Sequence, residues 1–135
     1  MQKMKYLLDT HVWIWWHMHP QNLSRKVTSL IKNTDRYDEL LLSAISPWEF
    51  SKLIEKGRIG ISCDPESWIN SALDMPKLRL VPLAPFIAYR STVLPKPFHG
   101  DPADQIIVAT AREENATILT NDKIIRKYRH VPSLW

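Results

Sequence analysis

Residues 5–18 read KYLLDTHVWIWWHM, and the parsing of this stretch decides the fold. Lys5 to Leu8 form a short apolar run that Asp9 stops, the pattern of a buried strand. From His11 the pattern becomes helical and stays so until Pro20 ends it. A short, wholly apolar strand running straight into a helix is the unit of a parallel sheet covered on both faces. The acid at the junction, Asp9, then stands at the strand's carboxyl end.

The same alternation continues along the chain. A helix is expected from Ser24 to about Asn33, with Val27, Leu30 and Ile31 on one face. Leu40 to Ser43 read as a second strand. Ser46-Pro47-Trp48-Glu49 opens a helix that Gly57 closes, with Leu53 and Ile54 among its apolar positions. Asp64-Pro65 starts another helix, carrying Trp68, Ile69, Ala72 and Leu73. Leu78 to Leu83 resemble a third strand, and a helix near 85–94 leads to the loop Pro95-Lys96-Pro97. Pro102 to about Glu114 form a helix with Asn115 as its C-cap. Ala116 to Thr120 make a fourth strand, 122–128 a last helix, and the tail around Val131 a short edge strand. With no internal repeat, low-complexity tract or linker, residues 1–135 are expected to form a single α/β domain.

Composition narrows the class. The 135 residues, 44% hydrophobic and 24% charged, are ordinary for a soluble domain able to bury a core without disulfides. The lone Cys63 excludes an intramolecular disulfide framework. No apolar run approaches the roughly 20 residues of a membrane helix, and Asp9 and His11 interrupt the N-terminal apolar stretch too early for a signal peptide. The expected location is the cytoplasm. Eighteen Lys and Arg against fourteen Asp and Glu give a net charge of +4. Gathering four of those acids in one pocket leaves eighteen cations against ten acids elsewhere. An acidic pocket in a basic surround suits an enzyme that acts on a polyanion.

Four acids fall where such a fold gathers ligands, outside the carboxyl ends of its strands. Asp9 and Asp122 follow the first and fourth strands; Glu49 and Asp104 lie near helix starts on that same edge. Carboxylates sharing a pocket shift one another's pKa strongly, and a divalent cation resolves the conflict. An all-oxygen set suits Mg²⁺ or Mn²⁺ rather than zinc. His17 and His19 have no further Cys or His pair to complete a tetrahedral site and read as polar residues at a helix end. Thr10 and Thr120, beside Asp9 and Asp122, offer hydroxyls to a carboxylate, water or phosphate, or serve as turn residues.

Each acid also has a plainer explanation. Ser46-x-x-Glu49 is formally a capping box. Asp101 fits an N-cap ahead of Pro102, with Asp104 in the favourable first turn. Asp122 fits a cap, and Asp9 a turn. Capping does not require all four on one sheet edge, so the two explanations make different demands on the structure.

Taken together, LLDTHVWIWW, LSAISPWEF…KGRI, HGDPADQIIVATA, ILTND and the terminal VPSLW resemble PIN-domain proteins, in particular VapC-type toxins of toxin–antitoxin pairs. The likeness runs in order over nearly the whole chain. It implies a small three-layer α/β/α fold with a short parallel sheet and a Mg²⁺- or Mn²⁺-dependent endoribonuclease. It also implies a homodimer held inactive by a cognate antitoxin. On that likeness the metal-binding and catalytic acids are Asp9, Glu49, Asp104 and Asp122, with Thr10, Asp101 and Thr120 beside them. One departure is Gln105, where many relatives carry an arginine directly after the third acid. The tryptophans at 13, 15 and 16 are heavier than usual and are expected in core or dimer packing rather than base stacking.

Two rival functions stand beside the nuclease. A phosphatase or phosphotransferase could use Asp9 as a covalent nucleophile, but such enzymes commonly carry a second aspartate two residues on, where this chain has His11. A non-catalytic RNA- or protein-binding domain would use the acids only as caps, and its stability would barely respond to Mn²⁺.

Overall fold

The structure, a computed structural model, describes residues 3–33 and 38–135. Its elements are β1 (Lys5–Leu8), α1 (Thr10–Met18), a 3-10 turn (Pro20–Asn22), α2 (Arg25–Lys32), β2 (Glu39–Ser43), α3 (Ile45–Glu55) and α4 (Pro65–Leu73). They continue with β3 (Leu78–Val81), α5 (Pro85–Arg90), α6 (Pro102–Glu114), β4 (Thr117–Leu119), α7 (Lys123–Lys127) and β5 (Ser133–Leu134). The five strands pair in the order β3-β2-β1-β4-β5, every pair parallel, so the expected parallel α/β sheet is present.

The central strands β1, β2 and β4 are apolar over most of their length because both faces are covered, whereas edge strand β3 leaves Arg79 and Leu80 exposed. Leu7, Leu41 and Ile118 point into one core, packed with Ile107, Val108 and Ala111 of α6 and Ile125 of α7. Their neighbours Leu8, Leu42 and Leu119 point into the other, with Val12 and Trp13 of α1, Val27 of α2, Phe50 of α3 and Ala72 of α4. Adjacent residues thus serve opposite layers, as the strand's twofold period dictates. Truncating any of these six to alanine would cost about 2–5 kcal/mol. Trp13 is fully buried, with Phe50 and Trp68 against its faces and edges, as expected of core packing. Trp15 and Trp16 are only partly buried.

Local signals explain the boundaries. Ser24 caps α2 by accepting from the Val27 N–H, and Asp64 caps α4 by accepting from Ser67 N–H. Gly57 takes φ +70° just after α3, where a side chain would be strained, and its N–H satisfies the Ile54 carbonyl. Asn115 closes α6 in the left-handed region. Three expectations need adjustment. The third strand stops at Val81, because Pro82 has no N–H for the ladder. The helix after Pro85 stops at Arg90. The terminal edge strand is Ser133–Leu134, while Val131 turns inward to the core.

Candidate active site

Asp9 is the first residue beyond β1 and is almost wholly buried, at 4% exposure. Its backbone N–H bonds the Leu119 carbonyl at 3.1 Å, tying it to β4. One carboxylate oxygen, Oδ1, accepts the Thr10 N–H at 2.8 Å and so caps α1. The other, Oδ2, accepts the Thr120 hydroxyl proton at 2.7 Å. His11 Nδ1 lies 3.5 Å from Oδ2. Because His11 Nε2 accepts the Asn121 N–H at 3.2 Å, the neutral ring carries its proton on Nδ1, toward the carboxylate.

Thr120, fully buried, serves two acids at once. Its Oγ1 gives its proton to Asp9 and accepts the Asp122 N–H at 2.9 Å. Asp122 Oδ1 in turn accepts the N–H groups of Ile124 and Ile125 at 2.9 and 3.0 Å, capping α7.

Glu49 sits in α3, reached through hydroxyls. Thr10 Oγ1 donates to Glu49 Oε1 at 2.5 Å. That commits the only Thr10 hydroxyl proton, so in the 2.8 Å Thr10–Ser46 pair the Ser46 hydroxyl donates. The capping box anticipated at Ser46 does not form. α3 begins at Ile45, whose N–H is satisfied by Ser43 Oγ at 3.1 Å, and the helix has Ala44 at its N-cap position. Starting the helix there turns Ser46 inward, fully buried, toward Thr10. Glu49 is therefore not explained as the reciprocal partner of a cap.

The fourth acid, Asp104, lies in the first turn of α6. Asp101 caps that helix, its Oδ1 accepting the Asp104 N–H at 2.9 Å, with Pro102 at the first position. His99 Nε2 stands 3.1 Å from Asp104 Oδ2 but without the alignment of a hydrogen bond. Gln105, the residue that departs from the arginine of many relatives, donates from Nε2 to the His99 carbonyl at 3.0 Å and so braces the preceding loop. Sequence reasoning missed His11, Ser46 and His99 as neighbours of the acids. His99 was signalled only by its place in HGDPAD, and His11 by following Asp9 after one residue.

The electrostatics show that the acids converge. Asp104 is pushed up to about 8, first by burial and then by Asp9, Asp101, Asp122 and Glu49, in that order. Burial also raises Glu49, offset in part by the Thr10 hydroxyl and reinforced by Asp9 and Asp101. Among the described residues no Lys or Arg forms an ion pair with any of the four; His11 and His99 are the basic groups at hand. Buried carboxylates without a cationic partner are unfavourable as they stand. Nor do three His, Cys, Asp or Glu side chains among the described residues close into a ready-made ion cage. Mutually repelling carboxylates at one sheet edge fit a hydrated Mg²⁺-type ion, which keeps several waters and needs few direct carboxylate ligands.

Comparison with known proteins identifies the family and the fold. The PIN domain family model matches residues 6–131. Ribonuclease VapC22 of Mycobacterium tuberculosis is 38% identical over 124 residues, 92% of each chain. Two solved structures share the fold. The chain aligns with VapBC2 from Rickettsia felis bound to a promoter DNA fragment at TM-score 0.66 and 20% identity, covering 97% of this chain and 98% of that one. It aligns with VapBC-1 from nontypeable Haemophilus influenzae at TM-score 0.67 and 18% identity, covering 97% of each. With the family model spanning residues 6–131 and a relative 38% identical over most of both chains, the chain belongs to the PIN domain family.

Proposed function

We propose that this protein is a metal-dependent endoribonuclease of the VapC type, the toxin of a toxin–antitoxin pair. The observation that carries the chemistry is the elevated proton affinity of Asp104, imposed by burial and by all the other acids of the edge, with no Lys or Arg among the described residues to relieve it. The donor set is oxygen only, which fits Mg²⁺ or Mn²⁺. A bound divalent cation would supply Lewis-acid charge at the scissile phosphate and lower the pKa of a water.

The chain's own groups divide the work. Asp9, Glu49 and Asp104 would hold the cation, with Asp122 beside them on the acidic edge. Thr10 and Thr120 hold Glu49 and Asp9 in place by hydroxyl donation, and Thr120 also fixes the loop that carries Asp122. Asp101 positions Asp104 by capping its helix. One carboxylate of the set would serve as the base that accepts the proton of the attacking water. The preference for RNA is supported by the ribonuclease relative, since the hydrolysis itself needs no 2′-hydroxyl.

The same reading makes the chain one PIN domain acting as a homodimer in the cytoplasm. No helix among the described residues is long and apolar enough to cross a membrane. An antitoxin partner is supported by the toxin–antitoxin assemblies among the structural relatives. The deciding test is RNA cleavage by purified protein with and without Mn²⁺, beside Asp104→Asn purified identically. Cleavage that needs Mn²⁺ and disappears in the variant supports the proposal. Cleavage by both preparations marks a contaminant. Absence of cleavage together with absence of Mn²⁺-dependent stabilisation overturns it in favour of a binding domain whose acids are caps.

A further inference from the structure

Beside the carboxylates, between the loop at 97–99 and the segment 124–130, lies an open recess of ≈ 620 Å³. Its walls are unusual for a surface feature. The Phe98 and Tyr128 rings meet at 4.8 Å between centroids, and His130 meets Tyr128 at 5.3 Å. Tyr128 is fixed by donating its hydroxyl to the Pro95 carbonyl at 2.6 Å. Ile124 leaves half of its surface, 51%, in solvent at the same place. Lys127 and Arg129, both exposed, complete the lining, which contains no carboxylate. His99 is shared with the acidic cleft, its Nε2 3.1 Å from Asp104.

We propose that this recess seats one unpaired base of a single-stranded RNA whose neighbouring phosphodiester lies at the carboxylates, with Lys127 and Arg129 on the flanking phosphates. The inference rests on the ribonuclease reading and adds where the substrate strand leaves the cleft. Aromatic and apolar walls accept any base by stacking, because every base presents a π-face. Two cations without an opposing acid in the lining favour a polyanion over a neutral ligand. An acidic peptide would satisfy those cations as well, but continuing past His99 it would run its own carboxylates into Asp104 and Asp9. A nucleic acid continuing the same way brings a phosphate to the place where the acids would hold a cation. A second recess, against Glu49, is less suited. It too offers cations, Lys56 and Arg58 beside a Lys52 engaged by Glu55 at 2.9 Å, and the exposed Trp48, but its lining includes two carboxylates, Glu49 and Asp101, that repel a phosphate.

The test uses the full chain and a 12-nucleotide single-stranded RNA of mixed sequence, carrying 2-aminopurine at successive positions. Binding is read by fluorescence in Mg²⁺ buffer, in an Asp104→Asn background so that the strand stays intact. Lys127→Ser with Arg129→Ser is expected to weaken binding roughly 10-fold and to flatten the salt dependence by about 1.4 in logarithmic slope, two phosphates' worth for a single strand. The control Lys26→Ser with Lys32→Ser, equal in charge change but on α2, is expected to leave both nearly unchanged. One 2-aminopurine position should be quenched by stacking, and Ile124→Glu should abolish that quench. Equal effects of the two double variants, or no quenched position, overturn the proposal. If the Asp104-intact protein cleaves RNA with Mn²⁺ and the same recess variants in that background cleave as well as it does, the recess is not a substrate site, while the nuclease reading stands. If the Asp104-intact protein neither binds nor cleaves RNA, both fall.

Discussion

Thr120 gives its hydroxyl proton to Asp9 at 2.7 Å across 111 positions of sequence, while the same oxygen accepts the Asp122 N–H. One buried side chain therefore sets the position of one acid and of the loop that carries another. Thr120→Val keeps the shape and removes both bonds, leaving the buried Asp9 oxygen and the Asp122 N–H short of a partner. A stability loss of about 1–3 kcal/mol in urea unfolding is expected. Cleavage should fall roughly 10- to 100-fold, the usual effect of disturbing groups that orient metal ligands. Thr120→Ser should restore most of both.

Asp104 makes the metal-free protein pH-sensitive. Its folded pKa near 8 lies far above that of an unfolded aspartate, about 3.9. Between those values the folded state holds a proton that the unfolded state has lost, so stability falls as pH rises through the window. Below about 4 both states are protonated and the difference vanishes. Asp104→Asn should abolish cleavage, remove this decline and melt higher than wild type at pH 8 in chelator. Thermal melts at pH 5 and pH 8 check it; parallel behaviour of the two proteins would show that Asp104 is not strained.

Asp101 should behave differently from its neighbour. Asp101→Ala removes the bond to the Asp104 N–H and should cost about 1 kcal/mol. Cleavage should drop less than in Asp104→Asn, because Asp101 acts by holding the helix start. Asp101→Ser, another good cap, should recover the stability without restoring the lost charge.

Divalent metal should stabilise the fold. At Mn²⁺ one hundred times its dissociation constant, about 2.7 kcal/mol is expected from mass action alone. Differential scanning calorimetry of wild type against Asp9→Asn measures it. The variant should respond weakly to Mn²⁺, and an undiminished response would remove Asp9 from the metal site.

Much of this organisation is legible in the sequence because its signals are local and repeated. The central strands are short, mostly apolar runs, the helix starts carry Asp, Ser or Pro with a known capping habit, and parallel pairing follows from burial on both faces of those central strands. The gathering of Asp9, Glu49, Asp104 and Asp122 follows in turn from strand polarity. What stays hidden depends on single atoms meeting across the fold. Ser46 has the spacing of a capping box, yet Ser43 satisfies the Ile45 N–H first and frees Ser46 to face Thr10. Nothing in HGDPAD announces that His99 will lean on Asp104, or that Gln105 will reach back to the His99 carbonyl. Periodicity likewise says which strands are buried but not that β1 lies at the centre, paired with β2 and β4.

That central place of β1 bears on how the chain matures. Its register with β4 joins Tyr6 to Thr117, nearly opposite ends of the sequence. A pairing so distant must wait for the intervening loops to close, the slow kind of step in folding. During synthesis, β1 leaves the ribosome early but cannot acquire this neighbour, or the Thr120 bond to Asp9, until almost the whole sequence has emerged. Asp9 and Glu49 lack these neighbours until then. On the proposed reading, a fragment cut short before residue 117 lacks β4, Thr120 and Asp122 and is expected to leave the cell's RNA intact, so a chain still being made stays silent.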